Sequence, residues 1–243
     1  MKIVIKKDYV ELSKFAALEV KNIVEDNPNC TLGLATGSTP LGLYKELIKL
    51  YNLGEINFSS VTTFNLDEYR GLNEEDEQSY KYFMNDNLFN HINIDKNNTF
   101  IPNGIAEDVE RECENYEKLI GEKGGIDLQV LGIGMNGHIG FNEPNQELYL
   151  NTHLETLTEE TLNSNSIFFT NKEKMPTEAL TMGIGSIMKA KKIILLISGK
   201  NKAEVVKKLV SGKITTDFPA SILQVHNDCT VILDEEAAAL LNK

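Results

Sequence analysis

Six short runs of aliphatic and β-branched residues are spread along the 243-residue chain, alternating with longer segments whose apolar positions recur every three or four residues. KIVI at the start leads into DYVELSKFAALEVKNIVED, TLGLA at Thr31 into LGLYKELIKLY, and SVTTFNL at Ser60 into QSYKYFMNDNLF. DLQVLGI at Asp127 follows the helical pattern EDVERECENYEKLIG, KKIILLIS at Lys191 feeds AEVVKKLV, and TVILD at Thr230 runs into EEAAALL. Strands alternating with helices predict an α/β fold: a Rossmann-like, mostly parallel β-sheet with helices on both faces and right-handed crossovers. No internal repeat or linker interrupts the pattern, so residues 1–243 read as one domain.

Composition narrows the range of partners. The aliphatic and aromatic share is 41% and the charged share 25%, which is ordinary for a soluble globular chain. A net charge of −12 argues against nucleic acid, because phosphate backbones need clustered Lys and Arg. One small phosphate is still compatible with it. Three widely separated cysteines without C-x-x-C spacing read as free thiols. Neither a signal-peptide h-region nor a membrane-length apolar run is present, so the expected location is cytoplasmic, with no membrane partner. Oligomeric state is left open.

In folds of this class, ligands gather beyond the carboxyl ends of the strands, which directs attention to the strand-to-helix junctions. In ATGSTPLGLY, Gly37 permits a tight turn, Ser38 or Thr39 is placed to cap the next helix, and Pro40 suits its first turn; hydroxyls and free N–H groups there suit a phosphate. In FNLDEYRGL, Asp67 and Glu68 follow a buried strand; adjacent residues of an extended chain point opposite ways, so one carboxyl is expected in the site as a general base. At LLISGKNKAEVV, Lys200 and Lys202 stand at a helix N-terminus, a mildly unfavourable place for cations unless an anion binds there. Each junction also has an ordinary reading: a capped turn, a solvated acidic turn, or surface lysines.

The remaining junction, LGIGMNGHIGFNEP, matches G-x-G-x-x-G through Gly132, Gly134 and Gly137. A dinucleotide site would need a helix starting within those glycines and an acid ending the next strand about 20 residues on. Gly140 and Pro144 argue against the helix, and THLETLTEET is polar and not strand-like. The loop instead groups Asn136, His138 and Glu143, a histidine with a carboxylate and an amide nearby, suited to moving a proton near neutral pH.

Taken together, ATGSTPLGLY, FNLDEY, GIGMNGHIGFNEP, ALTMGIGSIM and SGKNKAE resemble the glucosamine-6-phosphate deaminase family, in order, from about Leu32 to Val231. The resemblance implies a reaction free of metal and cofactor in which glucosamine 6-phosphate and water give fructose 6-phosphate and ammonia. By the same resemblance, His138 opens the sugar ring with help from Asn136 and Glu143, and Asp67 carries the C2 proton to C1. Thr36, Gly37, Ser38 and Lys202 correspond to phosphate contacts. The competing readings are a 6-phosphogluconolactonase-like enzyme, another sugar-phosphate isomerase, or a non-catalytic sugar-phosphate sensor.

Three positions depart from the family pattern. Asn136 stands where many relatives carry Asp, which shifts support of an imidazolium onto Glu143. Ile167 stands where relatives commonly place a phosphate-binding Arg, so weaker phosphate discrimination or a differently shaped lid over about 151–176 is expected. Glu155 reverses the charge of one of two basic residues found in allosterically activated members, so no activation through that place is expected.

Overall fold

The computed structural model describes residues 1–166, 169 and 175–241. Among them, seven strands form a parallel sheet: β1 (Lys2–Lys6), β2 (Thr31–Leu34), β3 (Thr62–Asn65), β5 (Thr99–Phe100), β6 (Leu128–Leu131), β9 (Lys192–Ile197) and β10 (Cys229–Asp234). Their order across the sheet is β1-β10-β9-β6-β2-β3-β5. The chain builds outward from β2 to β3 and β5, then returns to lay β6 on the other side of β2. The order therefore reverses between β2 and β6, and a crevice opens at their carboxyl ends.

Helices cover both faces, as the alternating pattern requires. On one side α1 (Tyr9–Asp26), α2 (Leu41–Asn52) and α3 (Tyr80–Asn87) pack Leu12, Ala16, Val20, Leu43, Leu47 and Met84 against Leu34, Ile194 and Ile232. On the other side α4 (Val109–Glu122), α6 (Ile184–Met188) and α7 (Ala203–Leu209) pack Tyr116, Ile187 and Val206 against Phe64, Leu195 and Val231. Side chains that satisfy the first free N–H groups set where several helices begin. Asp8 accepts from Glu11 N at 2.9 Å, Ser79 from Tyr82 N at 3.0 Å and Asp108 from Arg111 N at 3.0 Å.

The sequence pattern did not foresee a second sheet. Strands β4 (Asp67–Tyr69), β7 (His153–Thr156) and β8 (Glu178–Thr181) pair antiparallel in the order β4-β8-β7. Two expectations are corrected by it. Asp67 and Glu68 follow the buried strand β3 as expected, but they form a short strand of their own where a strand-to-helix junction was expected, and the polar stretch around His153 is a strand after all. β7 lies at the edge of a three-stranded sheet with its residues alternating between half-buried and exposed, so it needs no apolar run. A third correction concerns EEAAALL, which forms successive turns rather than a helix, its start held by Ala237 N donating to Asp234 at 2.7 Å.

No described helix is long and apolar enough to cross a membrane. The three cysteines are free and buried, and burial pushes the Cys30 thiol up to about 12 and those of Cys113 and Cys229 to about 11.

Candidate functional site

A cleft of about 320 Å³ opens at the carboxyl ends of β2, β3 and β6. Thr36, Gly37, Ser38, Thr39, Asp67, His138 and Lys202 all line it, so all four sequence junctions meet at one place. Lys200 does not line it and is exposed, which leaves Lys202 as the one lysine of that pair in the cleft.

The loop after β2 is shaped by Gly37, whose φ of 91° lies in the left-handed region that favours glycine. The expected cap from Ser38 or Thr39 is absent; Pro40 occupies the N-cap position of α2 without a side-chain bond. Tyr9, on α1, does the work instead. Its hydroxyl donates to Thr39 O at 2.8 Å and accepts from Gly42 N at 2.7 Å. This frees the Ser38 and Thr39 hydroxyls from capping and leaves them at the cleft wall. Opposite them, the half-buried Lys202 donates from Nζ to Ile133 O at 2.7 Å, and burial lowers its pKa, a cost that a bound anion would offset.

Asp67 begins β4 and is 5% exposed. Burial pushes its carboxyl up to about 8, with the neighbouring Glu68 charge adding to the effect. An aromatic wall shields it: Tyr80 packs on Tyr69 with ring centroids 4.8 Å apart and stacks on Phe141 at 6.1 Å. A carboxylate kept this dry is a stronger base than one in water.

The Gly-rich loop after β6 contains no helix, and the next parallel strand is β9, far down the chain. Its turns wrap the imidazole instead. Gly134 faces the His138 ring so closely that a Cβ there would overlap it, and Gly134 N donates to His138 O at 2.9 Å. His138 Nδ1 lies 3.4 Å from Glu143 Oε2 and 3.3 Å from Thr161 Oγ1. With Nδ1 turned to a carboxylate, Nε2 is left as the proton acceptor of the neutral ring. Burial pushes the Glu143 carboxyl up, but the bonds from His138, Thr161 and Asn136 outweigh it and hold it below its ordinary value.

Asn136 acts one step back from the ring. Its amide donates to Glu143 Oε2 at 2.7 Å, while its oxygen accepts the His138 backbone N–H at 3.1 Å. It therefore orients the carboxylate and the loop rather than the imidazole ring itself. Ile167, the position of the missing arginine, lies outside the described residues.

Sequence reasoning missed Tyr80, Phe141, Ser164 and Asn165, which also line the cleft. Ser164 and Asn165 come from α5 (Glu159–Asn165), capped by Thr158. The polar spacing of that helix carries no signal of a ligand, because its cleft side is itself polar.

The model of the family "Glucosamine-6-phosphate isomerases/6-phosphogluconolactonase" matches residues 9–232. This chain belongs to that family. Among its members, a protein of Clostridium tetani (strain Massachusetts / E88) named glucosamine-6-phosphate deaminase is 61% identical over 99% of this chain and 100% of its own length. Another of that name from Thermoanaerobacter sp. (strain X514) is 59% identical over 99% of this chain and 95% of its own. The structure of a monomeric glucosamine-6-phosphate deaminase superposes with a TM-score of 0.97 at 49% identity, covering 99% of this chain and 100% of that one. The 6-phosphogluconolactonase of Trypanosoma brucei shares the fold of the family, with a TM-score of 0.77 at 20% identity over 99% of this chain and 98% of that one.

Proposed function

We propose that this chain is a glucosamine-6-phosphate deaminase, converting glucosamine 6-phosphate and water into fructose 6-phosphate and ammonia in amino-sugar catabolism. The observation that carries the reading is a dry carboxylate, Asp67, and an oriented imidazole, His138, facing one cleft whose rim offers hydroxyls and a lysine to a phosphate. Relatives at 59% and 61% identity bear the deaminase name, whereas likeness to the lactonase at 20% extends only to the fold. The free, buried thiols support the cytoplasmic location expected for such an enzyme.

Lys202 and the loop from Thr36 to Thr39 hold the phosphate and so place the sugar along the cleft. His138 Nε2 takes the anomeric hydroxyl proton, the C1–O5 bond breaks, and the imidazolium returns that proton to O5; Glu143 stabilises the imidazolium, with Asn136 fixing that carboxylate. Asp67 then removes the C2 proton to give the enolamine and delivers the same proton to C1. Water adds to the resulting C2 imine, and ammonia leaves. Dividing the work suits both groups, since abstraction from carbon needs a poorly hydrated base held close, whereas ring opening needs a group that can both take and return a proton.

A coupled assay for ammonia release on the wild type and Asp67→Asn tests the reading. Activity in the wild type and a loss of at least about 1,000-fold in the variant are expected. A wild type that binds glucosamine 6-phosphate without releasing ammonia would instead support a sensor.

A further inference from the structure

The strand that carries Asp67 also carries a carboxylate facing the other way. Glu68 is 3% exposed and lines a separate cavity of about 470 Å³, together with Leu72, Lys81, Asn103 and Gly104. Three backbone donors hold its oxygens. Oε1 accepts from Tyr69 N and Tyr80 N, each at 2.9 Å, and Oε2 accepts from Lys81 N at 3.0 Å. Tyr80 and Lys81 are the first two residues of α3, so Glu68 binds the free N–H groups at that helix start, where a negative charge is favoured.

Tyr80 connects this clamp to the cleft. Its side chain lines the cleft that Asp67 lines, and its ring packs on that of Tyr69. We propose that Glu68 is a positioning residue for Asp67: its oxygens seat Tyr80 by fixing the start of α3, and its carboxylate stands one residue along the same strand from that of Asp67. The inference rests on the reading of Asp67 as the C2 base.

Other charged and titratable groups are arranged so that this pairing dominates. Asp67 faces Tyr69 on its own strand, Tyr80 on α3 and Tyr116 on α4, with His138 and Lys202 across the cleft. All three tyrosines are pushed above their ordinary values by burial and stay neutral in the working range. Around Glu68 stand Asp76 and Glu74 before α3 and Lys81 on it, the lysine being lowered by burial. Burial lifts Glu68 itself to about 7, against the pull of its three N–H donors.

Rate profiles over pH for the wild type, Glu68→Gln and Glu68→Asp test the proposal. The wild-type kcat/KM should rise with pH toward a plateau above about 8, as Asp67 loses its proton. Glu68→Gln removes the charge and one acceptor; kcat should fall about tenfold with KM within about twofold, and the rising limb should move about one unit toward acid. Glu68→Asp keeps the charge and should leave the limb in its wild-type place while lowering kcat. A limb that stays put in Glu68→Gln, or a loss confined to KM, would overturn the inference. If Glu68→Gln does not fold, a shifted limb in Glu68→Asp overturns it. A wild type that releases no ammonia would sink the deaminase reading, whereas an active wild type with unmoved limbs sinks this inference alone.

Discussion

Asp67 titrates near 3.9 in an unfolded chain but up to about 8 in the fold, where burial comes first among the causes. The folded state thus holds its proton more tightly, so stability is greatest below the unfolded value and declines as pH rises through the window from about 4 to about 8. Asp67→Asn removes that penalty. Its melting temperature should exceed the wild type's by several degrees at pH 9 and match it near pH 4, as scanning calorimetry at the two values would show. Glu143 behaves oppositely, being held below its ordinary value by its partners. Glu143→Gln should lower kcat for ammonia release about 100-fold with KM little changed; unchanged turnover would remove Glu143 from the relay. At this scale the sequence was informative where chemistry is local: Asn136, His138 and Glu143 lie within one loop and could be grouped on sight. Tyr80 and Asn165 reach the cleft from separate helices, and nothing in their neighbourhoods distinguishes them from packing residues.

Among elements, central parallel strands such as β9 and β10 were readable because both their faces are covered, which turns each into an apolar run. β5 spans two residues and β7 is a half-exposed edge, so neither leaves such a trace. The cap of α2 was misassigned for a related reason: its agent, Tyr9, belongs to a different helix about thirty positions earlier, beyond the reach of local capping rules. The loop from Thr36 to Pro40 consequently depends on α1. Tyr9→Phe deletes one donor and one acceptor at that loop, and initial-rate kinetics should show KM for glucosamine 6-phosphate rising about fivefold with kcat nearly constant, since about 1 kcal/mol of loop order is lost.

For the molecule as a whole, the net charge of −12 is compatible with a small anion in the cleft, because Lys202 and the hydroxyl residues Thr36, Ser38 and Thr39 line it at the strand-order reversal. Outside the cleft, His153 and Glu155 engage each other, Nε2 to Oε2 at 3.0 Å, within the edge strand β7. A carboxylate there repels an incoming phosphate. Rate curves should therefore stay hyperbolic, and N-acetylglucosamine 6-phosphate should not activate the enzyme; a sigmoidal curve rectified by that compound would contradict this.

β4 is three residues long, is separated from β3 by Leu66 alone, and meets β8 with Asp67 opposite Thr181. Sliding it by one position would exchange its two carboxylates, sending the longer Glu68 into the substrate cleft and leaving the shorter Asp67 to reach for α3. The chain between Asn65 and Tyr69 thus acts as a ruler, on which a gain or loss of one residue changes which carboxylate faces the cleft. Variation in length compatible with turnover has to fall outside it.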